Sequence, residues 1–264
     1  MQKNSCMNSR LMQKAKILTV FTFFALSWTV PAIAFDFSDW DALIKKHVHP
    51  KKVAGVLINA VNYKNLKDDL EFEKLVSRLD SALLDSFKSR DEKLVFWINA
   101  YNILAAKMVA DHFPVKSIKD VGSIFKSVWN KAAGRVAGKE RTLNEIEHEI
   151  LRNMDEPRIH VAIVCASISC PDLRLEAFKV ERLNEQLDDQ FEKFLKSAEK
   201  GMKIDEDRNK VYLSSIFKWF EEDFESRGGV LKYISKYVSP EAAGKLKNSS
   251  IKISYLQYNW DING

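Results

Sequence analysis

Cysteine is scarce in this chain of 264 residues, which has only Cys6, Cys165 and Cys170. None of them forms a Cys-x-x-Cys pair, so the thioredoxin-type dithiol motif is excluded. No second cysteine pair accompanies Cys165 and Cys170, which leaves a metal site the weakest reading of their spacing, behind a small-loop disulfide or two free thiols. A glycine-rich phosphate loop, a Gly-x-Ser-x-Gly nucleophile elbow, an internal repeat and a low-complexity tract are all missing too. Nor is there a basic stripe of the kind that grips nucleic acid. The formal net charge is +5, and residues 1–34 hold Lys3, Arg10, Lys14 and Lys16 without one acid. The remainder therefore carries +5 − 4 = +1.

Residues 1–34 have the layout of a signal peptide. Arg10, Lys14 and Lys16 precede an apolar stretch from Ile17 to Val30, and Pro31-Ala32-Ile33-Ala34 offers a small-x-small cleavage site. The apolar stretch falls short of the ~20 residues a comfortable membrane span needs. The expectation is cleavage after Ala34, no stable membrane span afterwards, and a periplasmic or secreted protein. Residues 35–264 then suit a single domain with a sizeable core.

The stretch around which the rest is organised is IHVAIVCASISCPDLR, Ile159 to Arg174. Its unbroken apolar run from Ile159 to Ala166 is rich in β-branched residues and closed by Ser, Pro and Asp, which predicts a covered central strand. Side chains alternate along a strand, so His160 and Cys165 are expected on opposite faces and unable to pair. The strand delivers Cys165 to a loop whose Ala166 and Ser167 N–H groups are placed to bind an oxyanion.

Helical spacing marks several other segments. Asp91 to His112 is apolar on every side, the mark of a buried helix, and it carries Asn99 and Asn102 on its flank. Buried amides need partners, because an unsatisfied one costs about 1–3 kcal/mol. Thr142 and Glu145 match a capping box at the start of a helix reaching Met154. At about 100° per residue, Glu147 falls inside the apolar stripe of that helix and His148 just beyond its edge. A carboxyl in such a place either finds an arginine (Arg135, Arg152 and Arg174 are the candidates) or has its pKa raised, one way to make a general acid or base. Farther on, Asp205, Asp207 and Asn209 imitate the start of a calcium loop. Lys210 and Ile216 break that pattern, and a hairpin turn is expected instead. A closing strand is expected over Ile251 to Trp260.

FWINAYN at 96–102, the LNEIEH helix start at 143–148, VCASISCPDLR at 164–174, SSIFKWFEEDF and the closing YNWDIN together resemble domain-of-unknown-function family 547, over roughly residues 70–264. The resemblance implies that Asn99 to Asn102, Glu147 with His148, and Cys165 are hallmark positions. It also implies that Cys170 is the lesser cysteine. It assigns no activity.

Two functions from different classes fit these residues. In the first, Cys165 is the nucleophile of an acyl-transfer enzyme acting on an amide, peptide or thioester. His148 is then the base, Glu147 or Asn99 orients it or acts as a second acid-base group, and Asn102 and Ser167 bind substrate. Such an enzyme loosely resembles papain-like and transglutaminase-like folds, but with every histidine ahead of the cysteine in the chain. In the second, Cys165 is a buried hydrophobe and the polar residues are a structural network in a module that binds a ligand or protein. The partner expected is a small molecule or peptide, with no nucleic acid, metal or cofactor. The fold expected is mixed α/β, with helices around a small sheet made of the 159–166 strand, the 203–213 hairpin and the C-terminal strand.

Overall fold

The longest helix is where the fold is built, and a computed structural model describes it together with the rest of residues 35–123 and 126–264. The predicted signal peptide lies outside the described residues. Ahead of the long helix come α1 (Ser38–His47), the hairpin β1 (Val48–Val53) and β2 (Val56–Val61), α2 (Tyr63–Lys67) and α3 (Leu70–Asp80). The long helix itself is α4 (Arg90–His112). It starts at a full capping box, in which the Ser89 side chain accepts from Glu92 N–H and the Glu92 carboxylate returns to the Ser89 backbone. Its residues from Leu94 to Ala110 are almost all buried, as an apolar surface on every side requires.

After α4 come the hairpin β3 (Ala132–Val136) and β4 (Lys139–Thr142), then a π-helical segment, Glu145–Leu151. Next follow α5 (Ile159–Ala162), α6 (Leu183–Lys196), and the hairpin β5 (Met202–Asp205) and β6 (Lys210–Leu213). Last come α7 (Ile216–Trp219), α8 (Glu222–Glu225), α9 (Val230–Ile234), α10 (Pro240–Leu246) and β7 (Lys252–Tyr255). β5 pairs antiparallel with β6, and β6 pairs parallel with β7. The architecture is mixed α/β, with helices predominating over three small sheets. No helix among the described residues is long and apolar enough to cross a membrane.

The predicted strand over 159–166 is not one. Ile159–Ala162 is a helical turn, and the chain extends only from Ile163, without a neighbouring strand. The reason lies in α4. Asn102 donates from Nδ2 to Ala162 O at 2.9 Å and accepts from Val164 N–H at 2.8 Å. One amide side chain thus satisfies the backbone that a sheet neighbour would have satisfied. The closing strand is also shorter than expected. After Tyr255 the chain becomes an irregular tail that joins the site described below.

Two large apolar cores result among the described residues, beside a small cluster of Ile58, Ala60 and Ile168. One surrounds α4 and includes Trp40, Leu75, Leu104, Ile146 and Val164. The other gathers Phe191, Phe194, Phe217, Phe224 and Tyr233 between α6 and the C-terminal helices.

Candidate active site

Between these cores lies a cavity of about 400 Å³. The first core contributes Tyr101, Ile163, Cys165 and Cys170 to its walls, with the buried Glu147 beside them, and the second contributes Ile216, Phe220 and Tyr258. His148 and His160 line it as well. A larger cavity of about 780 Å³ opens between β2 and α6. Its charges are largely tied in pairs, such as Lys179 with Asp41 and Arg174 with Glu176, and it holds no thiol or imidazole. The smaller cavity is the candidate site because reactive side chains converge there.

Cys165 is a free, half-buried thiol at the point where the extended chain turns. The turn falls on Ala166, with φ at 60°, a left-handed conformation that costs a residue with a Cβ about 1–2 kcal/mol. The C-terminal tail holds this strained loop in place. Asn263 N–H donates to Ala166 O at 3.1 Å, Ile168 N–H to Asp261 O at 2.9 Å, and Ser169 N–H to Asn259 O at 3.2 Å. Two of the loop amides are therefore committed to the tail. The tail is anchored in turn by Asn263, whose Oδ1 accepts from the buried Tyr63 hydroxyl at 2.7 Å.

Donors surround the Cys165 sulfur. The Cys170 thiol lies at 2.8 Å, the Ser167 hydroxyl at 3.1 Å and the Tyr258 hydroxyl at 3.3 Å. The hydrogen bond from Cys170 lowers the Cys165 pKa most; burial opposes it, and Ser167 and Tyr258 lower it further. Burial keeps Cys170 itself firmly protonated, so it acts as the donor. Its sulfur also accepts Cys165 N–H at 2.9 Å.

Glu147 is the reverse case. It is buried and its pKa is pushed up to about 7, first by burial and then by the nearby Cys165 sulfur, against a hydrogen bond from Tyr101. The Tyr101 hydroxyl donates to Glu147 Oε2 at 3.2 Å, so the partner is a phenol on α4 and none of the three arginines. With the thiol pulled down and the carboxyl pushed up, the pair holds one proton between them near neutral pH, because two adjacent anions repel.

The π-helical segment explains how Glu147 and His148, adjacent in sequence, both line the cavity. A π turn holds more residues than an α turn, so successive side chains diverge by less than about 100°. His148 Nδ1 takes a hydrogen bond from Arg152 at 3.0 Å. Arginine only donates, so that nitrogen is the acceptor and the proton of the neutral ring sits on Nε2. Burial, and then the charge of Arg152, lower the His148 pKa and keep it neutral.

Arg152 also holds Asp223 with two bonds, Nε to Oδ2 at 2.8 Å and an NH2 nitrogen to Oδ1 at 2.6 Å. Asp223 in turn takes His160 Nε2 at 2.7 Å. His160 reaches the cavity because 159–162 is helical, which corrects the expectation that it faces away from Cys165.

Asn99, Asn102 and Ser167 do not line the cavity. Asn99 is pinned to the backbone of Phe178 by both ends of its amide, at 2.9 and 3.0 Å. Asn102 fixes the backbone leading into Cys165, as described above. Ser167 serves the sulfur. The sequence reasoning passed over Tyr101, His160, Asp223 and Tyr258. Tyr101, Asp223 and Tyr258 stand within the FWINAYN, SSIFKWFEEDF and YNWDIN motifs, although Asp223 there is one acid in a solvated-looking Glu-Glu-Asp run.

At the mouth, Trp260 stacks on Trp219 at 5.6 Å and leans on Tyr258 at 4.4 Å, with Trp129 edge-on at 5.5 Å. Trp219 is partly open to solvent.

Residues 84–195 match the model of the family described as "Protein of unknown function, DUF547". This supports the family read from the motifs, and the matched span holds Glu147, His148, His160 and both cavity cysteines. No curated protein and no solved structure gives a significant match.

Proposed function

We propose that this chain, whose residues 84–195 carry the DUF547 match, is an exported enzyme that transfers acyl groups through Cys165. The observation that supports this most is a lowered thiol and a carboxyl raised to about 7 in one cavity. A structural network has no use for either. Packing alone would leave the thiol protonated and the carboxyl paired with an arginine.

In this reading the Cys165 thiolate adds to the carbonyl carbon of an amide, peptide or thioester. The neutral His148 offers its Nε2 proton as a hydrogen-bond donor to the developing oxyanion. Glu147, protonated near neutral pH, gives its proton to the leaving nitrogen or sulfur as the carbon–heteroatom bond breaks. The acyl group then rests on Cys165 as a thioester. The cavity's apolar residues and the rings at its mouth suit an uncharged, partly apolar acyl group.

The test uses p-nitrophenyl acetate as acyl donor. The wild type is expected to release a burst of nitrophenolate approaching one per protein molecule, with an acetyl group on Cys165 in the peptide map. Cys165→Ser is expected to lose burst and adduct while keeping its circular dichroism spectrum. A burst of equal size in Cys165→Ser, or no burst in the wild type, contradicts the proposal.

A further inference from the structure

The two histidines of the cavity differ in what their hydrogen bonds leave free. On His148 the acceptor nitrogen is occupied by Arg152. On His160 the carboxylate of Asp223 takes the Nε2 proton, so Nδ1 carries the lone pair. That Nδ1 is buried and has no hydrogen-bond partner among the described residues. Buried nitrogens without a hydrogen bond are rare and point to a missing water, ion or ligand. The ring cannot easily turn to find another partner, because Phe220 stacks on it at 4.0 Å and 16°, with Phe224 behind at 6.1 Å.

We propose that His160, held by Asp223, is the general base that activates water to release the acyl group from Cys165. This rests on the thiol reading above and supplies the half-reaction that reading leaves open. Cys165 does not need His160 to ionise, since Cys170, Ser167 and Tyr258 already surround its sulfur with donors. Water attacking a thioester does need a base.

As the water oxygen bonds to the acyl carbon, one water proton passes to Nδ1. The carbon–sulfur bond then breaks, leaving its electron pair on Sγ and a carboxylic acid in the cavity. The imidazolium, balanced by the Asp223 carboxylate, returns its proton to the sulfur. The sum is thioester plus water giving acid plus thiol. Asp223 is a positioning residue in this scheme, fixing the tautomer and ring plane, as the carboxylate does in Ser-His-Asp sites.

The experiment follows both halves of the p-nitrophenyl acetate reaction. In His160→Asn and Asp223→Asn the nitrophenolate burst is expected to remain, while decay of acetyl-Cys165, followed by intact mass, slows by about 10²-fold or more. The burst itself reports that each variant has folded around its site. Should His160→Asn fail to fold, Asp223→Asn, which keeps the shape of the side chain, carries the test. Wild-type decay of the adduct in either folded variant overturns the assignment. So does slow decay in Glu147→Gln alone, which would make Glu147 the base. Failure of the thiol reading shows earlier and separately, as the absence of any acetyl-Cys165 in the wild type.

Discussion

The cavity has two walls of different origin. One comes from residues inside the 84–195 match, and it carries the groups that react or donate: Glu147, His148, His160, Cys165 and Cys170. The other comes from residues 196–264, outside the match, with Ile216, Trp219, Phe220, Tyr258 and Trp260 lining the cavity and Asp223 standing behind His160. The first wall resembles a set of tools and the second the hand that holds them. Asp223 sets the tautomer of His160, Tyr258 donates to Cys165, and the 259–263 tail clamps the strained loop at Ala166. The difference teaches that a domain boundary drawn at the end of the match would cut the site in two.

Substitutions on each wall sharpen that contrast. The largest loss expected is from Glu147→Gln on the reactive wall. Without the carboxylic acid, acylation by an amide substrate falls about 10²- to 10⁴-fold, whereas a nitrophenyl ester, whose leaving group needs no proton, is barely affected. Comparing the two substrates in one variant isolates the proton-donating role.

The same variant has a stability signature. The folded pKa of Glu147 is about 7 against an ordinary 4.5. Folding therefore favours the protonated form, and the stability this group contributes is whole below pH 4.5 and lost as pH rises through 7. The loss amounts to about 3 kcal/mol at most. Glu147→Gln is expected to match the wild type in urea at pH 4.5 and to exceed it at pH 8. Equal stability at both values would mean that the carboxyl is not buried as described.

Next in size comes Cys170→Ala, also on the reactive wall. It removes the donor that lowers the Cys165 pKa most. Alkylation of Cys165 at pH 7 is expected to fall several-fold, its midpoint moving up toward the free-thiol value. Tyr258→Phe, on the tuning wall, removes a longer donor and is expected to shift the midpoint in the same direction by less. A larger shift in Tyr258→Phe than in Cys170→Ala would reverse the division between the walls.

Trp219→Ala should have the smallest effect on chemistry. Its ring is partly exposed at the mouth, so thiol alkylation and folding stability are expected to stay near wild type, while KM for a bulky acyl substrate rises.

Much of this was legible in the sequence where local rules decide. The uninterrupted apolar surface of 91–112 announced a buried helix, and Asp205 to Asn209 announced a hairpin turn. Glu147 stood out because a carboxyl inside an apolar stripe has few physical explanations. Elsewhere a long-range contact decided. The run 159–166 reads as a strand because a short apolar run looks the same in a sheet and in a buried turn, and the Asn102 amide settles it from sixty residues away. That one misreading turned His160 away from the cavity. The π-helical register was invisible, since its residues fit an α-helical spacing equally well. Asp223 and Tyr258 acquire their roles only when the C-terminal segment folds back over the cysteine loop.

The central claim is that the folded protein activates Cys165, and the pH dependence of its alkylation tests that most directly. Wild-type protein would be treated with iodoacetamide across pH 5–10, with Cys165 and Cys170 followed separately by peptide mapping. The account predicts that Cys165 labels with a midpoint below the free-thiol value of about 8.5, while Cys170 stays unlabelled until the protein is unfolded. A midpoint at or above that value, or a Cys165 that resists labelling in the folded state, would contradict it.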